Sequence, residues 1–416
     1  MRRILSLAML ALGTATVFAG GYRVSLQGNR QLAMGHTGVA VVNNAEVLFF
    51  NPAGMAFLED RFNVSVGGSY LISHTKFQNE TYNWQAETKN SGTPFYVYAS
   101  YRLNDWFSAG LAVYSPYGST VEWDKDWQGS HLVNKISLQA IYFQPTISLK
   151  VNEYFSVGGG PLFVTGGVEF NRNISRMLTD ENGNRSNVTL DQSGVTATGW
   201  TAGFMFNPHE KVRLGMNYRS AMTMEARGGE AKFANIPAFL GGDVTSTFDA
   251  DLPLPAEFAV GISYQLNDQW LFAFDYNRAK WGAYENLDVK FGAGAPAAES
   301  LNPRNYKDAS TYRVGVQFEP NETFSFRGGW YFDESPIQNG YFAPETPRND
   351  SMAYTAGLTY QITPKLGLDI SFLYVQFNEF DGSYDHFTED GNTEVKFGGT
   401  YKNSAISPGV GLSYSF

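Results

Sequence analysis

Five histidines, His36, His74, His131, His209 and His386, are the first side chains to test for chemistry in this chain. None falls at a spacing that gathers ligands around one metal ion. His209 sits in a predicted turn and the others are scattered. A hydrolase would need a Ser–His pair held in hydrogen-bond reach, and nothing marks one. The chain therefore reads as no enzyme, with no metal and no cofactor. Cysteine is absent, so there is no thiol nucleophile, no disulfide framework and no acylation site. Asn184-Arg185-Ser186 has the form of a glycan acceptor, which is without meaning where no glycosylation machinery acts. The acidic run Asp381 to Asp390 reads as a solvated loop, with weak calcium or lipopolysaccharide-bridging contacts as the alternative. A formal net charge of −10 argues against a nucleic-acid partner, which would favour a basic patch.

What remains is apolar surface and the elements that must display it. Aromatic residues make up 15% of the chain, with 24 Tyr and 32 Phe, and Gly reaches 43, a composition suited to aromatic girdles and a crowded lumen. Mean hydropathy is −0.26, a value that misleads if apolar and polar residues alternate and cancel. Arg2 and Arg3, the apolar core Ile4 to Leu12 and the small-residue site Val17-Phe18-Ala19 read as a signal peptide over 1–19. The alternative, a membrane anchor, needs a longer apolar run. Beyond it no run of about 18 apolar residues occurs, so membrane helices are not expected.

Many segments alternate with period two. Met352, Tyr354, Ala356, Leu358, Tyr360 and Ile362 lie opposite Thr355, Gly357, Thr359 and Gln361, and Leu366, Leu368, Ile370, Phe372 and Tyr374 repeat the pattern. That is a strand with two different faces. Gly, Ser and Thr dominate the second face, where soluble strands more often carry Lys and Glu. Six short connections contain Asn, Asp or Pro: 103–105, 151–153, 207–210, 266–268, 320–322 and 363–365. These are turn formers through local side-chain bonding and a fixed φ. Longer polar stretches lie between them. Alternating turns and loops predict an all-β transmembrane antiparallel barrel of about fourteen strands, with turns periplasmic and loops outside the cell. Trp106, Phe107, Tyr154, Phe155, Trp270 and Phe324 beside the short turns would form the inner girdle. The localisation implied is the bacterial outer membrane.

Gly21 to Leu58 does not alternate. It carries Phe49-Phe50-Asn51-Pro52-Ala53-Gly54, and it is too apolar for a disordered tail. The reading is a plug inside the lumen, giving a signal peptide (1–19), a hatch (20–60) and a barrel (61–416). A periplasmic extension is the alternative. Pro52 fixes φ and holds Asn51 extended. The expectation is that Asn51-Pro52-Ala53 forms a tight turn whose movement gates the ligand, with Phe49 and Phe50 offering apolar contacts.

A Gly-rich start followed by Asn51-Pro52-Ala53-Gly54 resembles the FadL/TodX family of outer-membrane transporters of long-chain fatty acids and hydrophobic compounds. Pro116-Tyr117-Gly118, Gly215-Met216-Asn217-Tyr218-Arg219-Ser220, Leu252-Pro253 with Pro255, Tyr306-Lys307-Asp308 with Tyr312, and Phe326 to Pro336 resemble its further motifs in order. The resemblance implies a monomer, inserted by the barrel assembly machinery among outer-membrane lipid and lipopolysaccharide. It implies a ligand bound outside and released sideways through a kink in the third strand, here Ser115, Pro116, Tyr117 and Gly118. The alternative for those residues is a plain strand end. It also implies a carboxylate held by Arg172 and Lys290. Asp288 competes for the second position, which leaves an uncharged aromatic hydrocarbon open as ligand. A general diffusion porin is the remaining alternative, and it requires an open lumen.

Overall fold

The computed structural model describes residues 22–389 and 394–416, so the expected signal peptide lies outside the described residues. Fourteen strands cross the barrel. They are β1 (Phe62–Ser69, continued by Leu71–Asn79), β2 (Trp84–Gly92 and Phe95–Arg102), β3 (Phe107–Glu122), β4 (Lys135–Lys150) and β5 (Phe155–Asn173). Next come β6 (Asn187–His209), β7 (Val212–Arg219 and Met222–Ala234), β8 (Val244–Leu254 and Glu257–Asn267), β9 (Trp270–Ala279, with Val289–Phe291 after a break) and β10 (Ala309–Phe318). The last four are β11 (Phe324–Asp333), β12 (Ser351–Thr363), β13 (Leu366–Phe377 and Phe380–Thr388) and β14 (Glu394–Ser415). Neighbours pair antiparallel, and β1 pairs with β14 from Asn63↔Ser415 to Ser69↔Gly409, which closes the sheet. Closure pairs strand edges that would otherwise face lipid, where an unpaired N–H or C=O would cost several kcal/mol; the β2–β3 ladder is an exception and stops at Tyr96↔Tyr114.

The short turns explain the strand order locally. Asn104 Oδ1 accepts the amides of Trp106 and Phe107 at 3.1 and 2.9 Å. Asn152 does the same for Tyr154 and Phe155, Asn267 for Gln269 and Trp270, and Asn321 for Thr323 and Phe324. One side-chain acceptor thus reverses the chain at four turns, the mechanism that favours Asn there.

Alternation sorts the faces. Ile370 and Phe372 are exposed, whereas Asp369, Ser371 and Leu373 are buried. Leu111, Phe143, Ile147 and Phe163 extend the same outward apolar belt, and Trp106 and Tyr154 stand exposed at its lower rim. A contiguous apolar belt of this size marks a lipid-facing surface. Toward the outer loops the polarity inverts. Met224, Ala226, Phe248 and Leu190 point inward and are buried, while Glu225, Asp249 and Lys232 point outward. The inversion marks where strands leave the lipid.

Residues 22–58 lie across the lumen. They form two short helices, α1 (Asn29–Ala33) and α2 (Val47–Phe50), and a 3-10 turn over Pro52–Phe57. Their polar groups reach strands around the circumference. Arg30 bonds Asp369 of β13, Thr355 of β12 bonds Gly35 and Ala33, and Asp275 of β9 accepts Gly38 and Val39. Ser263 of β8, Gln144 of β4 and Ser156 of β5 bond the carbonyls of Ala40, Leu48 and Ala53. The wall glycines make this approach possible. A Cβ at Gly329 would meet Gly35 N at 2.0 Å and one at Gly215 would meet Val39 O at 2.0 Å, both backbone atoms that cannot yield.

Candidate functional site

An apolar cavity opens in the outer half of the barrel. Its walls include Ile136 and Leu138 of β4, Phe170 of β5, Leu190 of β6, Met224 of β7 and Phe248 of β8, all in the region of inverted polarity. Leu287, Val289 and Phe291 add three alternate residues from β9 and the loop before it. One flank is polar: Arg172, Ser300, Asn302, Arg304, Glu345 and Thr346. Tyr22, the first described residue, also lines the cavity and packs edge-on against Trp281 with ring centroids 4.8 Å apart.

The two arginines on the polar flank differ. Arg304 is buried in an ion pair with Glu345 and donates to the Tyr384 hydroxyl at 3.1 Å. Arg172 bonds only neutral acceptors, the His131 carbonyl at 3.1 Å and Ser300 Oγ at 3.0 Å, and lies over the Phe387 ring. Among the described residues no carboxylate lies within ion-pair distance of it. The His131 imidazole, in the loop after β3, adds no charge: burial, with Arg176 and Arg172 nearby, pushes it down to about 3. Arg172 thus offers a cation whose charge is not already matched.

Lys290 is not part of this flank, a correction to the sequence expectation. Val289 points into the cavity, so Lys290 points out and is exposed; Asp288 instead accepts the Asn302 amide at 3.0 Å. The physical reason is the inverted polarity, which puts the apolar alternate residues inside at this height. Phe49 and Phe50 lie elsewhere too. They pack on each other at 4.9 Å and on His36, beside a separate, smaller cavity.

The third strand is irregular at Ser115–Gly118. The β2–β3 ladder runs from Arg102↔Ser108 to Tyr96↔Tyr114 and stops. On the β4 side the register slips between Tyr114 and Tyr117, so Ser115 and Pro116 form a bulge, the place where a proline is tolerated in a sheet. From the bulge onward, side-chain bonds join β2 to β3 among the described residues: Phe95 N to Ser115 Oγ at 3.2 Å, Thr88 to the Glu122 carbonyl, and the Glu122 amide to Asn90 at 3.0 Å. A cavity of about 320 Å³ lies at this boundary, lined by Pro94, Phe95, Ser115, Tyr117 and Gly118 among others.

Residues 22–27 cover the break from inside. Val24 N donates to Pro116 O at 2.8 Å, Gly118 N to Tyr22 O at 3.4 Å and Gln27 Nε2 to Ser115 O at 3.0 Å. Arg23 anchors them, donating to Glu257 at 3.0 Å, Asn277 at 2.7 Å, Thr311 at 2.8 Å and Asp333 at 3.1 Å. Sequence reasoning missed Arg23, because nothing nearby in the chain shows that it would meet four strands. Asn51, by contrast, sits in a fully tied turn. Its amide donates to Val39 O at 2.9 Å and Phe204 O at 3.0 Å, its Oδ1 accepts Ala53 N at 3.2 Å, and Pro52 begins the 3-10 turn.

A closed barrel with an apolar outer belt, crossed inside by its own N-terminal segment, defines an outer-membrane β-barrel protein. Residues 10–416 match the family described as outer membrane protein transport protein (OMPP1/FadL/TodX). The chain belongs to that family, whose members are outer-membrane transporters of hydrophobic compounds rather than enzymes. It is 24% identical over 433 residues to the 47 kDa outer membrane protein of Pasteurella multocida (strain Pm70), covering 98% of this chain and 96% of that one. It is 22% identical to the long-chain fatty acid transport protein of Salmonella typhi, covering 88% and 89%. In fold it is similar to a Pseudomonas aeruginosa FadL homologue, with a TM-score of 0.83 at 18% identity over 95% of this chain and 100% of that one. It is also similar to the P. putida toluene transporter TodX, with a TM-score of 0.70 at 17% identity over 93% and 97%.

Proposed function

We propose that this chain takes up long-chain carboxylic acids, holding the alkyl chain in the apolar cavity and the carboxylate on Arg172, and that it releases them sideways at Ser115–Gly118. The observation that carries the reading is the Arg172 guanidinium, facing an apolar cavity with neutral partners only. Each CH₂ moved from water into such a cavity is worth about 0.8 kcal/mol. A carboxylate taken along needs a cation, since an unpaired charge there is costly. An aromatic hydrocarbon would use the same walls without Arg172. A general porin fits poorly with a lumen crossed by residues 22–58.

The hatch divides the work. The Asn51-Pro52-Ala53 turn is an anchor, and the movement that admits the ligand to the wall opening falls on residues 22–27, which cover it. Equilibrium binding to detergent-solubilised protein tests the ligand class. Palmitate should bind more tightly than hexadecan-1-ol, and Arg172→Gln should weaken palmitate about tenfold or more, the loss of a charge-assisted hydrogen bond, while sparing the alcohol. Equal affinity for both in the parent protein, with toluene binding retained, would move the reading to uncharged ligands.

A further inference from the structure

The smaller cavity beside Phe49 and Phe50 is bounded by the N-terminal segment and by β7, β8, β9 and β10. It is lined by Arg23, His36, Arg219, Glu257 and Arg313, with Pro116 of the wall bulge at its edge. Its volume is about 40 Å³, against roughly 10–15 Å³ for one water on the same measure. That is room for one carboxylate group or a few waters.

The charges around it are unevenly matched. Arg23 is paired twice, with Glu257 and Asp333. Glu257 is itself shared, accepting the Tyr117 hydroxyl at 2.7 Å and reaching Arg219 only at 4.0 Å. Arg219 otherwise donates to the Phe49 carbonyl at 3.2 Å and lies over the Phe49 ring at 4.8 Å, and its Nε has no partner. Arg313 is buried and, among the described residues, has no carboxylate within ion-pair distance; its Nε too is unpartnered. Its cross-strand neighbour Asp275 turns Oδ2 to the Gly38 and Val39 amides instead. His36 is 2% exposed and neither ring nitrogen has a hydrogen-bond partner. A buried guanidinium and a buried imidazole without partners are costly unless a polar or anionic group meets them.

We infer that this cavity is a second carboxylate-binding subsite, in which the guanidinium groups of Arg313 and Arg219 and a ring nitrogen of His36 receive the head of a long-chain acid. The chain of that acid lies along Phe49, Phe50 and Pro116, toward the break in the wall. The identity of the anion rests on the acid reading above; the anion site itself does not. Arg172 takes the head first, and the deeper pair of arginines takes it when residues 22–27 move. Arg23 lines this deeper cavity while its neighbour Tyr22 lines the upper one, and an arriving carboxylate competes with Glu257 and Asp333 for Arg23.

Two measurements on the full-length barrel test this. Crystals soaked in sodium bromide should show an anomalous peak beside the Arg313 guanidinium, lost in Arg313→Gln; no peak in the parent protein overturns the site whatever the ligand. In whole cells, Arg313→Gln should slow palmitate uptake about tenfold and leave hexadecan-1-ol uptake unchanged, with Arg313→Lys restoring much of the loss. Equal slowing of both probes, or of neither, overturns the carboxylate role. If the parent protein takes up both probes alike and Arg172→Gln changes neither, the acid reading fails, and the bromide peak still decides whether the anion site exists.

Discussion

Residues 29–57 and residues 22–27 are one continuous stretch inside one barrel, yet they are held in opposite ways. The longer part is seated on the wall through backbone contact. Gly329, Gly315, Gly215 and Gly158 leave no space between the wall and residues 34–53, and Asn51, Asp275 and Thr355 bond the backbone there directly. The shorter part is held by Arg23, by three backbone or amide bonds to a wall segment that is itself broken, by the Tyr22 hydroxyl on the Pro253 carbonyl and by Arg348 on the Arg23 carbonyl. Val24 lines three separate cavities, so room for movement exists on its flanks. Close backbone packing on the wall fixes one region, while the other, apart from the rings packed on Tyr22, is fixed by polar bonds that a polar ligand can replace.

The largest effect should come from spoiling the seat. Gly329→Leu puts a side chain where Gly35 N now lies at 2.0 Å. The expected result is a barrel that still inserts but carries steady current in planar bilayers, where the parent is silent. A silent Gly329→Leu barrel would show that the seat is looser than the wall glycines imply.

Next is Arg23→Ala. It strips Glu257 and Asp333 of a shared partner, and one-sided loss of a buried pair costs roughly 3–5 kcal/mol. A cysteine placed at Ser25 should then react with a maleimide at least about tenfold faster, while one at Ala56 stays protected. The chain has no native cysteine to confuse the reading. Equal protection at Ser25 with and without Arg23 would remove the distinction between the two regions.

Asn51→Ala should matter less. It removes the bonds to Val39 and Phe204 at a cost of about 1–3 kcal/mol, visible as a lower melting temperature, with uptake of palmitate unchanged. Impaired uptake by a folded Asn51→Ala protein would return the gate to the Asn-Pro-Ala turn.

The smallest effect concerns pH. The loop between β11 and β12 rests on the N-terminal arm, since Arg348 donates to the Arg23 carbonyl at 3.1 Å. Within that loop Asp350 Oδ1 accepts the Ser335 amide at 3.2 Å, and burial, opposed by Lys307, pushes its carboxyl up to about 7. A raised carboxyl favours the folded loop in its protonated form. Its contribution is complete below the ordinary carboxylate range and is lost as pH rises toward 7. Hydrogen exchange at the Ser335 amide, corrected for the intrinsic rate, should therefore show more protection at pH 5 than at pH 8. Asp350→Asn should flatten that dependence, and the amides of residues 47–50 should not share it.

Much of this architecture was legible because it is local. Period-two alternation located the strands, and the asparagines at 104, 152, 267 and 321 located the turns, since each turn is made by its own side chain. Ser115 to Gly118 could be read as a break because proline lacks the donor the ladder needs. The polar flank was half legible. Arg172 lines the cavity, but the rule that apolar residues face outward holds only within lipid, and above it the rule reverses. Leu287, Val289 and Phe291 carried the signal that excludes Lys290, provided the height of the strand was known. Arg304, Glu345 and Arg23 were not legible at all. They are brought in by loops and by the chain start, whose positions depend on contacts hundreds of residues away.

The height at which the strands change polarity also bears on what moves the ligand. On β4 the outward side chains pass from Phe143, exposed and apolar, to Gln139, which pairs with Gly118 at the break. The bulge at Ser115–Gly118 therefore stands at the upper margin of the apolar belt. For an alkyl chain, the apolar cavity above and the bilayer beside it are solvents of equal quality. A sixteen-carbon chain gains on the order of 12 kcal/mol on leaving water for either, and almost nothing on passing from one to the other. On the acid reading, the transfer is a partition equilibrium between two oils. Its direction follows the concentration gradient, and continued removal of the acid from the membrane is sufficient to sustain it.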